Sequence, residues 1–194
     1  RDQPRSRGLG DVYKRQDVYR LSYVGVPCIR LGYADMNFLL AEAVERGWIT
    51  GSAKQYYEEG IRASFLFVRT TVPAEYNNGV EITDDYITSS LKGEYVAYNT
   101  NGSVTDRLKQ IWMQAFLARY FHMATDDYYE YRRNGYPEFP INPETNLNNA
   151  KDKIPMRYMY PESETNYNKE SLYKALDRQW GGVDDVNSIM WLLK

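Results

Sequence analysis

Two adjoining stretches, residues 31–47 (LGYADMNFLLAEAVERG) and the following ITGSAKQYYEEGIRASFLFV, leave the chain little freedom of fold. In the first, Tyr33, Met36, Leu40 and Ala43 or Val44 recur at helical spacing, and Ala34 and Ala41 are small enough to admit a close neighbour. Gly47 is a natural stop. In the second, Ser52 and Gln55 have the spacing of a capping box, and Tyr56, Ile61 and Phe65 begin another apolar face. Helices over 31–47 and 52–69, joined by so few residues, must lie antiparallel as a helical hairpin.

The strongest periodicity lies in SVTDRLKQIWMQAFLARYFHM, where Leu108, Ile111, Trp112, Ala115, Phe116 and Met123 fall at i, i+3, i+4, i+7 and onward. This predicts a buried helix that packs on the hairpin and continues, with a break at Thr125, through DDYYEYRRNG to Gly135, with Pro137 just beyond. Between hairpin and helix, Pro73 and the NNG at 77–79 interrupt the pattern. Thr83 or Asp84 can cap a short helix, DDYITSSL, and EYVAYNTNGS reads as a loop or an isolated strand pair. From Pro137 onward the chain holds five of its eight prolines and many Asn, so this stretch can be ordered only against a preformed surface. Asn168 then caps a helix over KESLYKALDRQ. The fold class is mainly α, built on helical hairpins with long irregular loops.

The first sixteen residues, RDQPRSRGLGDVYKRQ, stand apart. Five cations (Arg1, Arg5, Arg7, Lys14, Arg15) lie among Pro4, Gly8 and Gly10 with no apolar period. One back-translation of Asp11 to Gln16, GATGTGTATAAGAGACAG, resembles the mosaic end used in transposon-based sequencing libraries. Residues 1–16 are therefore expected to be an adapter artefact, disordered, and residues 17–194 to form the domain proper. The chain starts at Arg1 rather than Met, so an upstream portion is expected to exist, and the absence of a signal peptide excludes no compartment.

Composition narrows the chemistry. With 43% hydrophobic and 26% charged residues the chain is globular, and no apolar run approaches the roughly 20 residues a membrane-spanning helix needs. Setting aside the five cations of the first sixteen residues makes the remainder more acidic than the formal net charge of −2, which argues against nucleic acid as a partner. One Cys and one His exclude a Cys/His zinc site, a disulfide framework and a CxxC redox pair, and no cofactor is implied. Cys28 reads as a buried thiol and His122 as a histidine satisfied at a helix interface. The unusual feature is aromatic: 19 Tyr, 4 Trp and 6 Phe, rings that suit interhelical packing, wet interfaces and stacking on sugars.

Several blocks taken together resemble the C-terminal part of the SusD/RagB family of outer-membrane lipoproteins from Bacteroidetes. They are LGYADMNFLLAEAVERGW with SAKQYYEEGIRASF, then EYRRNGYPEF, then IPMRYMYPESETNYNKESLYKAL with GGVDDVNSIMW, in an order that covers nearly all of residues 28–194. The resemblance implies tetratricopeptide-like hairpins in a surface-exposed protein of the cell outer membrane, lipid-anchored through a region absent here. It further implies capture of an oligosaccharide or peptide and delivery to a partner SusC-like TonB-dependent transporter. The lipobox and the larger N-terminal portion of the family are not in this sequence, so no family binding residue is carried over.

Catalysis is disfavoured by the residues themselves. The acid pairs Glu58/Glu59, Asp84/Asp85, Asp126/Asp127 and Asp184/Asp185 are adjacent in sequence, whereas a glycosidase holds two carboxylates across a bond. At Asp84 and Asp126 they simply complement a helix dipole. Arg132 and Arg133 can meet an anion, or satisfy the last carbonyls of a helix that stops at Gly135. Ligand contacts are expected where rings and amides meet in loops: Tyr76, Asn77 and Asn78 in the first interruption, and Tyr98 and Asn99 in the second. Ordinary turn chemistry would use the same residues. A structural helical-repeat scaffold and a carbohydrate-active enzyme are the alternatives to a binding protein. Because residues 1–16 carry no periodicity, their deletion should leave the thermal unfolding midpoint unchanged, as measured by circular dichroism.

Overall fold

The computed structural model describes residues 26–77, 79–120 and 122–193, so the run at residues 1–16 lies outside the described residues. Among the described residues are seven α-helices, two short 3-10 turns and no β-strand. The chain forms two compact units, one through Asp127 and one from Tyr128 onward.

In the first unit, α1 (Tyr33–Glu45) and α2 (Ala53–Thr71) form the expected hairpin. α1 stops because Gly47 takes a left-handed φ of 72°, letting its N–H reach the Val44 carbonyl and that of Trp48 reach Ala43, each at 2.9 Å. The Ser52 hydroxyl then accepts the Gln55 N–H at 3.3 Å and starts α2. A short α3 (Asp84–Ser90) is capped by Thr83, and α4 (Val104–Arg119) opens on a reciprocal box between Ser103 and Asp106. The core consists of Phe38 and Ala41 of α1, Tyr57 and Ile61 of α2, and Ile111 and Ala115 of α4.

The buried face of α1 is rotated from the one its apolar spacing predicts. Tyr33 and Met36 are 58% and 41% exposed, while Asp35, Asn37, Phe38, Ala41 and Glu42 are buried. Polar groups can occupy that face because α4 supplies their partners. Arg119 Nε lies 2.6 Å from Asp35, Trp112 Nε1 donates to Glu42 at 3.0 Å, and Arg107 Nε lies 2.8 Å from Glu45. Ascending residue numbers on α1 meet descending ones on α4, so the two helices run antiparallel. Leu108, Ile111 and Ala115 are buried as expected, but Trp112 and Phe116 are only half-buried.

The break after α4 comes before Thr125. Tyr120 leaves the helical region, the N–H groups of His122 and Met123 turn back to the Arg119 carbonyl at 2.7 and 3.0 Å, and α5 (Ala124–Asn134) starts afresh. Asp126 and Asp127, in the first turn of α5, complement its dipole there. Met123, expected on the long helix, lies in this connection, and His122 sets its ring edge-on to Phe67 of α2 at 5.3 Å. Burial lowers the His122 pKa from its ordinary value, so the imidazole stays neutral against that apolar partner. Cys28 is exposed rather than buried, and none of residues 26–32 belongs to the core. EYVAYNTNGS is a loop of successive turns.

In the second unit α5 ends at Asn134, where Gly135 adopts a φ of 67° and donates to the Tyr131 carbonyl at 2.7 Å. A short α6 (Glu162–Tyr167), not expected from the sequence, precedes α7 (Lys169–Trp180). Asn168 does not cap α7 with its side chain; its amide donates to Glu164 of α6 at 2.9 Å. The proline-rich stretch is ordered by the C-terminal segment. Arg157 pairs with Asp184 at 2.5 Å and lies 4.2 Å over the Trp180 ring, and the Met156 and Arg157 N–H groups both reach the Val186 carbonyl. The Asn148 and Asn187 amides bond each other in both directions, at 2.7 and 3.0 Å.

Two substitutions test this account. A Cβ added at Gly60 would lie 2.8 Å from the Phe38 ring, which is itself buried. Gly60→Ala should therefore destabilise by about 1–3 kcal/mol in denaturant unfolding, despite the better helix propensity of Ala. Arg119→Met strands the buried Asp35 carboxylate and should cost about 3–5 kcal/mol, most of it recovered when Asp35→Leu is added.

Candidate functional site

The last turn of α1 and the loop 91–103 meet in a polar cluster. Glu45 accepts the Tyr98 hydroxyl through one carboxylate oxygen and pairs with Arg107 through the other at 2.8 Å. Arg107 also donates to the Gly102 carbonyl at 2.5 Å. Tyr57 donates its hydroxyl to the Val96 carbonyl at 2.7 Å, and its ring lies 5.2 Å from that of Tyr98. Gln110 closes the cluster from α4, donating to the Ala97 carbonyl at 2.8 Å and accepting the Asn99 N–H at 2.9 Å. Burial pushes both tyrosine hydroxyls above their ordinary value, helped at Tyr98 by the bond to Glu45. Both therefore remain donors at neutral pH.

This anchoring decides which way the side chains of the loop face. Tyr98 is turned inward and its hydroxyl is committed to Glu45. Asn99 is exposed, and Tyr95 on the same loop is 86% exposed. The other interruption is built differently. After α2, Pro73 leads into a 3-10 turn over Ala74–Tyr76, Asn77 closes it and accepts the Val80 N–H at 3.0 Å, and Gly79 takes a φ of 76°. Tyr76 and Asn77 are half-buried, and Asn78 lies outside the described residues. Arg69 braces the far side of this turn, donating to Asp84 at 2.7 Å and to the Ile82 carbonyl at 3.4 Å. The first set of candidate residues thus hangs on α2 and α3, and the second is held from α1, α2 and α4.

The remaining candidates have structural partners. Asp84 pairs with Arg69, Asp127 faces Arg119 at 3.8 Å, and Asp184 pairs with Arg157. Arg132 lies over the rings of Tyr128 and Tyr129 at 5.4 and 5.6 Å, and Arg133 meets Glu130 at 2.7 Å. An open groove of about 220 Å³ between α1, α2 and α4 is lined by Phe38, Ile61, Phe65, Val68 and Leu117, an apolar lining poorly matched to a sugar.

Sequence reasoning overlooked Trp48, which the turn after α1 leaves 68% exposed with Arg46 5.2 Å over its ring. Its position directly after the helix-stopping Gly47 was the available signal.

The chain matches, over residues 9–161, the family model of SusD-like proteins described as starch-binding and associating with the outer membrane. It belongs to this SusD-like family. A SusD homologue from Bacteroides fragilis is 47% identical with a TM-score of 0.81, the match covering 88% of this chain and 36% of that one. A second B. fragilis SusD homologue is 36% identical with a TM-score of 0.76, covering 87% and 35%. A chitin-binding protein is 26% identical with a TM-score of 0.65, covering 82% and 32%. The chain therefore spans about a third of the length of these relatives. No curated protein sequence matches it.

Proposed function

We propose that the full-length protein is a lipid-anchored nutrient-binding protein of the outer-membrane surface. In this reading it captures an oligosaccharide, or a peptide, and delivers it to a SusC-like TonB-dependent transporter without turning it over. Membership of the SusD-like family supports the reading, as does the relative that binds chitin. The observation that carries it is the pinned loop 91–103, held from three helices while it turns Tyr95 and Asn99 to solvent.

A ring and an amide held in place recognise a sugar without a metal or a titrating group, and prior ordering of the loop lowers the entropy cost of binding. Within this reading Tyr76, Asn77, Asn78 and Asn99 are contact residues, and Tyr98 contributes by fixing the loop that carries Asn99. An enzyme would need carboxylates facing a substrate, whereas Asp84, Asp127 and Asp184 face arginines.

Calorimetry of the full-length protein with maltohexaose, chitohexaose and a mixed peptide library tests the proposal. Binding of an oligosaccharide with no product on chromatography is the expected result. Tyr76→Ala and Tyr98→Phe should each weaken affinity by roughly 3- to 10-fold, the range for one lost aromatic contact or one lost hydrogen bond. Released shorter sugars would establish an enzyme, and no binding of any probe would favour a scaffold.

A further inference from the structure

We propose that the Asn101–Gly102 pair is a site of self-modification, where Asn101 loses its side-chain nitrogen as ammonia to attack by the Gly102 backbone nitrogen and opens to isoaspartate within the loop 91–103. The inference is independent of the glycan-binding reading.

An Asn–Gly pair offers this chemistry the least resistance, because glycine has no Cβ to shield its backbone nitrogen or restrict its approach. The chain has three such pairs, at 78–79, 101–102 and 134–135. The structure separates the last two. At 134–135 both reacting groups are held, since the Gly135 N–H donates to the Tyr131 carbonyl at 2.7 Å and the Asn134 amide donates to Glu130 at 2.9 Å. At 101–102 neither is firmly held. Asn101 is exposed, and its side chain has no hydrogen-bond partner among the described residues. The Gly102 N–H reaches the Asn99 carbonyl only at 3.3 Å, longer than an ordinary N–H···O bond.

The loop also requires that residue 102 stay a glycine. A Cβ there would collide with the Asn99 side-chain amide, so no side chain that would shield the nitrogen fits unless Asn99 moves.

The step balances with water as its only co-reactant. The Gly102 nitrogen gives its proton to solvent and bonds to Asn101 Cγ, the Cγ–Nδ2 bond breaks, and Nδ2 departs as ammonia, leaving a cyclic succinimide. Water then opens the ring at either carbonyl. Opening at Cγ leaves aspartate; opening at the backbone carbonyl leaves isoaspartate and lengthens the main chain by a methylene. That extra length falls between two anchors, Gln110, which accepts the Asn99 N–H at 2.9 Å, and Arg107, which donates to the Gly102 carbonyl at 2.5 Å. Asn99 therefore loses its fixed position when isoaspartate forms.

The test ages the full-length protein in mildly alkaline buffer, with and without urea. Peptide mapping reads the mass gain of amide-to-acid conversion, and methyltransferase labelling reads isoaspartate. In the folded protein Asn101 should convert about 10-fold faster than Asn134, the ratio for one more hydrogen bond that must open before reaction. In urea the two rates should converge. Asn101→Gln, whose side chain would have to close a larger ring, should stay unmodified at that position with an unchanged unfolding midpoint. After ageing it should keep the slow hydrogen exchange of the Asn99 amide that the wild type loses. Equal rates at Asn101 and Asn134 in the folded protein, or a ratio that persists in urea, would overturn the proposal. Isoaspartate in the wild type with unchanged exchange at Asn99 would overturn the release of that residue.

Discussion

The first unit depends on the polar seam between α1 and α4. Asp35, Glu42 and Glu45 descend one face of α1 and meet Arg119, Trp112 and Arg107 on α4. Apolar contacts among Phe38, Ile111 and Ala115 would tolerate a slip of one turn at modest cost, since hydrophobic burial is non-directional. A slip that separated Asp35 from Arg119 would strand two charges that are both more than nine-tenths buried. The seam thus fixes register, and the hydrophobic residues beside it supply most of the favourable free energy.

That register has a consequence at the end of α1. Glu45 is the third acid of the seam, and the same carboxylate that pairs with Arg107 holds Tyr98 and through it the loop 91–103. Glu42, the second, holds Arg46 beneath Trp48. One helix turn therefore organises a loop presenting Tyr95 and Asn99 and the exposed indole of Trp48. Both displays are set by groups whose own positions are fixed by packing of the helices, which is what a recognition surface requires of its supporting residues.

The sequence made the helical hairpin legible because Gly47 and Ser52 punctuate two periodic segments, and the core of α4 because Leu108, Ile111 and Ala115 repeat without competition. It misled on the face of α1. In ADMNFLLAEAV nearly every position is apolar or acidic, so the period alone cannot say which stripe is buried, and acids are read as solvent-facing by default. Only the side chains of α4, some 70 residues away in the Glu42 pairing, reverse that assignment. The same limit applied in the loop. Tyr95 and Tyr98 are equivalent by composition, and only the partners Glu45, Tyr57 and Gln110 turn one inward and leave the other exposed. The second unit was legible as loops but not as a fold, because Arg157 orders it through Asp184 and Trp180, contacts with no local period.

The titrating groups of the cluster also explain how such a surface can keep its shape as surroundings change. Tyr57 and Tyr98 have pKa values raised by burial, so their hydroxyls are protonated in both folded and unfolded chains below the ordinary tyrosine value of about 10, and the stability tied to them is fully present there. It declines only as pH rises from that value through the higher folded one. At neutral pH the donors Tyr57, Tyr98 and Arg107, which hold loop 91–103, do not change charge. A histidine in the same role would have coupled the loop to pH. The one histidine is instead placed against Phe67, where burial lowers its pKa and favours the neutral form.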